Sequence, residues 1–424
     1  MKLFNANQQQ QYNDFIAKKQ QTNKKIANIA TKIINNIRLN GDSAILDYCR
    51  KFDQTTCQTT ADLLVSANEI ADSTKLIDNN LKQALDFAYD RIYAYHTKQL
   101  PSDFDFTDNL GVKLGNHWRP IKHIGIYVPG GTASYPSSVL MSAVPAIVAG
   151  VDRITMFMPG KNTNPAVLYA AKICGINTIY KIGGAQAIAA MAFGSQTINK
   201  VNKIVGPGNA FVAAAKKIVY GDVGIDMVAG PTDICIIADN TANAKWLACD
   251  ALSQLEHGSD SQAFLITTCP EIAKDFIQHI KNISKKLDRY EIIKKSCKNS
   301  AVFLLDNLQQ AAELANTIAP EHLQLVVAKP RELLKSINNA GAIFLGSYTP
   351  EAIGDYTAGP SHTLPTFASA NFSSGLSVYD FLKRMSIIEC DEQAFNNLAE
   401  STATIAKAEG LTAHQLSINV RKTT

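Results

Sequence analysis

Hydrophobic residues recur every three or four positions through the first hundred residues of the chain. The segments 12–52 and 76–99 both follow this period, which is typical of helices that bury one face. The sequence therefore predicts a helical N-terminal region over 1–123. We expect this region to pack on the second of the two α/β domains that follow it.

Beyond this region, short apolar runs alternate with helical periods. The run 123–131 predicts a strand that ends in a Pro-Gly-Gly turn, and 137–151 predicts the next helix. The other strands predicted in this series are 153–160, 178–184, 200–208, 233–239, 261–268, 301–306, 323–328 and 341–346. Alternating strands and helices predict parallel sheets that are covered by helices on both faces.

A chain of 424 residues is too long for one simple core, so we expect this series to form two domains. The predicted fold class is α/β, with two Rossmann-like domains, doubly wound but incomplete, at 124–230 and 231–375. Residues 376–424 return to a helical pattern and predict a small C-terminal tail domain.

Composition narrows the classes of function. The net charge of +4 is small and no basic block is present, so nucleic acid is a poor candidate partner. The first residues are polar, and the most apolar stretch, 139–151, is shorter than the roughly 20 residues of a membrane span. The eight cysteines include no CxxC pair, which argues against a disulfide framework or a Cys-type zinc site. We expect no membrane partner and a reduced, cytoplasmic setting.

Two glycine turns in the first domain are candidates for anion binding. In KIVGPGNAF, 203–211, a strand, a Gly-Pro-Gly turn and a helix start at Asn209 would direct backbone N–H groups at an anion such as a pyrophosphate. Phe211 stands where the dinucleotide fingerprint has its third glycine, so a plain turn between strand and helix is the alternative. The turn in YVPGGTASYPSS, 127–138, allows the same two interpretations, and the pair together favours a nucleotide cleft.

The segment LSQLEHGSDSQ, 252–262, holds two possible ligands. Its apolar positions predict the last turn of a helix that stops near Gly258. Gln254 and His257 are three residues apart and would share a face of that helix. They could therefore point together at one bound group.

The segment IAPEHLQL, 318–325, predicts an acid–base pair. Pro320 fits the first position of a helix, which would place Glu321 and His322 in its first turn. There the helix dipole would keep the imidazole neutral, as a general base requires, and would stabilise a carboxylate able to polarise a water. An ordinary helix start with a surface histidine is the alternative.

Two further segments carry candidate ligands near the C-terminal end. The Gly- and Pro-rich stretch 351–366 contains Asp355 and His362, two possible metal ligands after a predicted strand, and ligands bind beyond the carboxyl ends of such strands. The tail contains Glu409 and His414. A plain loop and a solvated helix end are the alternatives.

Eight motifs occur in this chain in a fixed order. They are YVPGGTASYPSSVLMSAVPAIVAG, GGAQAIAAMAFG, GPGNAFVAAAK, DMVAGPTD, LSQLEHGSDSQ, APEHLQL, GDYTAGPSHTLPT and EGLTAHQ. With these motifs the chain resembles the histidinol dehydrogenase family from about Thr31 onward. The enzymes of that family catalyse the last steps of histidine biosynthesis.

The resemblance implies a zinc site. The family's ligands are the Gln and His of SQxEHG, the Asp of GDY and the His of GLTAH, which correspond here to Gln254, His257, Asp355 and His414. Imidazole nitrogen and hard oxygen ligands suit one zinc ion per subunit, and the absence of cysteine keeps the metal exchangeable and Lewis-acidic.

The resemblance also implies the reaction. L-Histidinol would lose a hydride to NAD, the resulting aldehyde would stay bound and be hydrated, and a second NAD would take a second hydride to give L-histidine. His322 matches the family's general base, and Glu321 matches the residue that activates water.

The remaining family positions concern the cofactor, the substrate and the partner subunit. Tyr127, Gln186 and Asn209 match NAD contacts. Thr232 stands where the family usually has Ser. The substrate contacts implied by the resemblance are Thr232, Gln254, His257, His322, Asp355, Glu409 and His414. The family's tail reaches into the partner subunit, which implies a homodimer with shared active sites.

Three other classes of protein compete with this interpretation. A metal-dependent hydrolase is the main alternative, since zinc and a Glu-activated water also serve hydrolysis, and it would turn over without NAD. A cysteine-dependent aldehyde dehydrogenase is disfavoured because no cysteine lies on a glycine-rich turn near the proposed site, and Cys235 and Cys249 have the pattern of core residues. A non-enzymatic binding protein would not need both Glu321 and His322.

Overall fold

A computed structural model describes residues 1–17, 24–130, 135–160 and 163–422. The strands of these residues are β1 Lys2–Asn5, β2 Phe104–Thr107, β3 Lys113–Pro120, β4 His123–Tyr127, β5 Arg153–Met158, β6 Thr178–Lys181, β7 Lys203–Val205, β8 Gly224–Ile225, β9 Asp233–Ala238, β10 Gln262–Thr267, β11 Ala301–Leu304, β12 His322–Val326, β13 Ala342–Leu345 and β14 Leu382–Glu389. The α-helices are α1 Gln9–Ala17, α2 Lys24–Asn40, α3 Asp42–Tyr48, α4 Ala67–Leu76, α5 Asn79–Thr97, α6 Pro136–Val148, α7 Pro165–Ile173, α8 Gly184–Phe193, α9 Ala210–Val219, α10 Ala244–Leu255, α11 Pro270–Ser284, α12 Tyr290–Ser296, α13 Leu308–Ile318, α14 Pro330–Leu333, α15 Glu351–Tyr356, α16 Glu392–Ala408 and α17 Thr412–Asn419.

The first sheet consists of five parallel strands in the order β6-β5-β4-β7-β8. Counted from β4, this is the order 3-2-1-4-5, which is the Rossmann order without its sixth strand. The central strand β4 is buried along its whole length. Its Ile124 and Ile126 pack with α6 and α7, whereas Tyr127 packs with α2, α8 and α9 in a separate core. The sheet is therefore covered on both faces, as the alternating pattern predicts.

The second sheet repeats this topology and adds one strand. Its six parallel strands follow the order β1-β11-β10-β9-β12-β13. Counted from β9, the last five again give 3-2-1-4-5, and β1 from the start of the chain fills the edge beside β11. All six residues of β9 are buried, and the five that follow Asp233 form a continuous apolar run in the middle of the core. The predicted fold of two incomplete Rossmann-like domains is confirmed.

The N-terminal region divides between the two sheets. Ile37 of α2 lies in the core on one face of the first sheet, and Ile92 of α5 lies in the core on the other. On the second sheet, Phe4 of β1 and Tyr12 of α1 pack against Phe303. The expectation that the whole region packs on the second domain is therefore wrong, because the apolar faces of α2 to α5 are buried on the first. The domain boundaries stay a prediction.

A small antiparallel sheet joins the N-terminal region to the tail. β3 pairs with β2 on one side and with β14 on the other. Both regions were predicted to be helical, and for these strands the prediction is wrong. Seven of the eight residues of β14 are exposed, so its apolar residues have no alternating burial pattern to reveal a strand. The helical tail predicted after it is present as α16 and α17. None of the described helices has both the length and the apolar character required to span a bilayer.

Candidate active site

The candidate site lies where strands β9 and β12 of the second sheet begin. Thr232 immediately precedes β9, and Glu321 and His322 lie at the entrance to β12. Glu321 is 7% exposed and His322 is 3% exposed. The site is therefore at the amino ends of the second sheet's strands, opposite to the carboxyl ends at which ligands of such sheets usually bind.

The predicted helix start at Pro320 is wrong. Helix α13 ends at Ile318, and Ala319 closes it in the left-handed conformation with φ 46°. Proline is common just after such a helix end, because it cannot continue the helix. Glu321 and His322 thus enter a buried strand and are not exposed to the field of a helix N-terminus.

The hydroxyl of Thr232 links two of the predicted site residues. Gln254 lies in the last turn of α10, which ends as predicted, and its Nε2 donates to Thr232 Oγ1. Thr232 Oγ1 in turn donates to Glu321 Oε2, which also accepts the backbone N–H of Asp233 at 3.2 Å. Burial raises the pKa of Glu321, although the charge of His322 and these two donors oppose the rise.

Three side chains of the metal-ligand type converge at this end of the sheet. His257, Glu351 and Asp355 each offer one ligand atom, and these atoms lie within 4.8 Å of one another. Oε1 of Gln254 and Oε1 of Glu351 are buried and have no hydrogen-bond partner among the described residues. Buried acceptors require a partner. The imidazole and oxygen atoms of these residues are suitable ligands for a divalent cation.

His322 lies among carboxylates. Its Nδ1 is 3.1 Å from the carbonyl oxygen of Asp233 and donates to it, and its Nε2 is 3.8 Å from both Glu351 Oε1 and Asp355 Oδ1. Burial acts to lower the pKa of His322, but the charges of Glu321, Glu351 and Asp355 outweigh it and raise the pKa to about 10. These neighbours favour the protonated imidazole, whereas the argument from a helix dipole predicted a neutral one.

Glu351 is a member of the cluster that the sequence interpretation missed. Helix α15 places Glu351 and Asp355 four residues apart on one face. Burial raises the pKa of Glu351 to about 8. Burial acts in the same direction on Asp355, but the hydrogen bond and charge of His322 lower its pKa to about 2. The four-residue spacing of these two acids could have predicted a shared helix face, but the stretch that contains them has the composition of a loop.

The residues matched to NAD contacts lie beyond the carboxyl ends of the first sheet. The Tyr127 hydroxyl, at the end of β4, accepts the backbone N–H of Gly184 at 3.0 Å, and burial raises the pKa of Tyr127 to about 12. Gln186, in the first turn of α8, is 2% exposed. Asn209 caps α9 as predicted, because its Oδ1 accepts two backbone N–H groups of that helix's first turn. Residues 131–134 of the glycine turn predicted in 127–138 lie outside the described residues.

The segment after α15 connects the two halves of the molecule. His362 Nδ1 lies 3.1 Å from the carbonyl oxygen of Asp355, and its Nε2 lies 3.5 Å from Ser138 Oγ in α6. The Ser361 hydroxyl donates to the carbonyl of Met141 in the same helix at 3.0 Å. His362, a candidate ligand from the sequence, is thus not among the three converging residues. It joins the backbone beside the cluster to the first domain.

Glu409 and His414 stand apart from the cluster within this chain. Glu409 ends α16 and His414 lies in α17; both are exposed, and α17 has no buried residue. Four large apolar side chains in the same stretch are also exposed, namely Ile405, Leu411, Leu416 and Val420. Among the described residues of a single chain, the tail supplies no ligand to the cluster.

The cysteines take no part in this cluster. All eight are free. Cys235 is fully buried in β9, as predicted, whereas Cys249 is exposed on α10, so its predicted core position is wrong.

Comparisons with known proteins agree with this geometry. The family model described as histidinol dehydrogenase matches residues 16–422. The histidinol dehydrogenase of Bradyrhizobium diazoefficiens is 48% identical over 415 residues, which is 97% of this chain and 96% of that protein. The crystal structure of histidinol dehydrogenase from Elizabethkingia anophelis matches with a TM-score of 0.95 and 37% identity, covering 99% of this chain and 98% of that one. An acetylating aldehyde dehydrogenase from Geobacillus thermoglucosidasius, at 12% identity, TM-score 0.50 and coverage of 90% and 97%, is similar in fold alone.

The protein is an enzyme of the oxidoreductase class. This follows from these matches, and it agrees with the two Rossmann-like sheets and with the buried Glu-His pair beside three side chains of the metal-ligand type. The chain belongs to the histidinol dehydrogenase family.

Proposed function

We propose that the chain catalyses the zinc- and NAD-dependent oxidation of L-histidinol to L-histidine, the four-electron reaction that ends histidine biosynthesis. L-Histidinaldehyde stays bound between the two steps. Family membership supports the substrate. The observation that carries the chemistry is the buried pair Glu321 and His322 beside the cluster of His257, Glu351 and Asp355.

Gln254, His257 and Asp355 would hold the metal ion, together with His414 from a second copy of the chain. The unpartnered Oε1 of Gln254 and the convergence of the other two side chains support this set. Zinc, when bound, holds and orients the imidazole and amino nitrogens of the substrate. Once the charge of Asp355 is shared with a cation, His322 loses part of the interaction that keeps it protonated.

His322 acts as the general base. Its Nδ1–H donates to the carbonyl of Asp233, which fixes the ring and leaves Nε2 to take the hydroxyl proton of the alcohol. Loss of that proton builds negative charge on oxygen and releases a hydride from the carbon. NAD, when bound, accepts one hydride in each of the two oxidation steps.

Glu321 activates the water that hydrates the aldehyde. Its Oε2 is occupied by Thr232 and the backbone of Asp233, so Oε1 is the atom that takes the water proton. The resulting hydroxide adds to the aldehyde carbon, while His322 returns the proton of the first step to the carbonyl oxygen. This gives the neutral hydrate and frees His322 to take a hydroxyl proton as the second hydride leaves. One L-histidinol, one water and two NAD⁺ thus give one L-histidine carboxylate, two NADH and three protons.

Tyr127, Gln186 and Asn209 are proposed to contact NAD. Their place at the carboxyl ends of β4, β6 and β7 supports this, because β4 and β7 are the strands between which the chain order reverses. His362 and Ser361, which join this domain to the backbone beside the cluster, support a cofactor that reaches from one domain to the other.

Glu409 and His414 are proposed to complete the site of the partner subunit in a homodimer. Their exposure, among four exposed apolar side chains of the same stretch, supports an interface at this tail. Glu409 would contact the substrate, and His414 would contact both the substrate and the metal.

Absorbance of NADH tests the proposal directly. Zinc-loaded protein with excess NAD should form two NADH per L-histidinol, and a chelator should abolish the reaction until zinc is restored. One NADH per L-histidinol would keep the first step but contradict the role of Glu321. No NADH from folded, zinc-loaded protein would contradict the whole assignment and return the zinc hydrolase as the next hypothesis.

A further inference from the structure

A short segment of the N-terminal region reaches the cofactor side of the first domain. Helix α3 continues into the π-helical turn Cys49–Asp53, a rare geometry that occurs often at functional sites. The Asp53 carboxylate at its end accepts the backbone N–H of Gly183 at 3.2 Å and Nε2 of Gln186 at 3.1 Å. Residues 130 positions away are thereby tied to the start of α8.

The contact with Gly183 is close. A Cβ atom added at Gly183 would lie 2.7 Å from Asp53 Oδ1. The carboxylate therefore lies directly against the backbone that follows β6, where the positive end of α8 favours a negative charge. The Cys49 thiol also donates to Asp53, and since burial and the charge of Asp53 raise the pKa of Cys49, the thiol stays a neutral donor.

The contact with Gln186 fixes the orientation of an amide. Asp53 accepts only, so Nε2 of Gln186 must face it. Oε1 is then turned the other way, over Gly184, where an added Cβ would lie 2.8 Å from it. The backbone N–H of Gly184 donates to the hydroxyl of Tyr127. One carboxylate thus determines which atom of Gln186 is presented beside Tyr127.

We propose that Asp53 is a positioning residue for the cofactor: it orients the amide of Gln186 and the backbone at Gly183 so that both are pre-set to receive NAD. The inference rests on the proposed function, because it takes Gln186 and Tyr127 as cofactor contacts. Asp53 itself touches neither substrate nor metal. It acts through the two groups that it binds.

The Asp53→Asn variant has the same shape, but it replaces one carboxylate oxygen by an NH2 donor, so Gln186 can turn either its Nε2 or its Oε1 towards it. The amide of Gln186 then loses its fixed orientation, and we expect the KM for NAD to rise about tenfold. The KM for L-histidinol and kcat at saturating NAD should stay within about twofold. Asp62→Asn is the matched control, because the Asp62 carboxylate in the same region also accepts two backbone N–H groups, but both come from its own segment, at Gln58 and Thr59.

A double-mutant cycle separates positioning from a general effect on folding. Gln186→Ala removes the amide, so adding Asp53→Asn to it should raise the KM for NAD much less than tenfold, because only the contact with Gly183 is left to lose. Additive effects of the two changes, or an unchanged KM for NAD in Asp53→Asn, would overturn the inference. A tenfold rise in the Asp62→Asn control would overturn it as well. Failure of the proposed function can be told apart from failure of this inference, since the parent protein would then form no NADH at all.

Discussion

Replacing Thr232 by valine tests the contact that joins Gln254, a proposed metal ligand, to the carboxylate of Glu321. Valine has the shape of threonine but no hydroxyl. It therefore removes the acceptor of Gln254 Nε2 and the donor to Glu321 Oε2 in one change. The backbone N–H of Asp233, at 3.2 Å, remains on that carboxylate oxygen.

The expected magnitude follows from the burial of the two groups. A hydrogen bond to a charged group contributes about 1.5–3 kcal/mol, and a buried donor left without a partner costs about 1–3 kcal/mol. Gln254 is 0% exposed and Glu321 is 7% exposed, so water does not replace the hydroxyl at low cost. If about 2–3 kcal/mol of this loss falls on the transition state of the water-dependent step, kcat/KM for L-histidinaldehyde falls about 30- to 160-fold.

The assay measures kcat/KM separately for L-histidinol and L-histidinaldehyde, with bound zinc determined in the same samples. Thr232→Ser is the control, because it keeps the hydroxyl and removes only the methyl group. We expect the serine variant to oxidise the aldehyde within about threefold of the parent, since a surviving hydrogen bond retains most of the contribution.

Equal rates of aldehyde oxidation in the valine and serine variants would refute this reasoning, because the hydroxyl would then contribute nothing. Equal loss of both oxidation steps in the valine variant, with zinc fully bound, would also contradict it. In that case the hydroxyl would support the site as a whole and not the activation of water.

Four further changes test other parts of the structure. Lys216→Met should lower the free energy of unfolding, measured in urea, by about 3–5 kcal/mol, because it leaves the Asp226 carboxylate, which is 0% exposed, without its cation. A loss below about 1 kcal/mol would contradict the pairing. Glu321→Gln should slow aldehyde oxidation about 100-fold or more while alcohol oxidation changes much less, and equal losses would argue against the water-activating role. His322→Asn should slow NADH formation in both steps with little loss of bound zinc, as metal analysis of the purified variant would show. His414→Ala should reduce bound zinc. If subunits exchange at random and share sites, mixing this variant with Glu321→Gln chains should restore about a quarter of the parental activity. No recovery of activity would favour self-contained protomers.

The α/β core could be predicted because its strands are buried on both faces. A run such as 233–238 contains almost only apolar residues, and turns that contain glycine, asparagine, aspartate or proline separate most such runs from the helices that follow. Strands β1 and β14 lack this signal. β1 has one buried residue in four, and β14 has none, so the apolar residues of both strands stand among exposed positions.

The site was predicted less completely than the core, for two physical reasons. A proline followed by an acid is typical of a helix start, but the same Pro320 also follows a helix that Ala319 has just ended in the left-handed conformation. The charges that set the state of His322 come from separate elements, and one of them, Glu351, lies in a stretch whose composition resembles a loop. Neither of these facts can be predicted from a local sequence pattern.

The place of β1 at the edge of the second sheet has a consequence for synthesis of the chain on the ribosome. Residues 2–5 are made about 300 residues before their partner strand, 301–304. At about 5–20 residues per second this delay is roughly 15–60 s. During that time Phe4, which is buried in the finished protein, has no sheet to join, and the second sheet cannot be completed until most of the chain has been translated. Strand β1 is thus made long before it can be placed. A nascent chain that pauses before residue 301 leaves Phe4 without the strand that buries it, and exposed apolar residues of this kind are bound by chaperones.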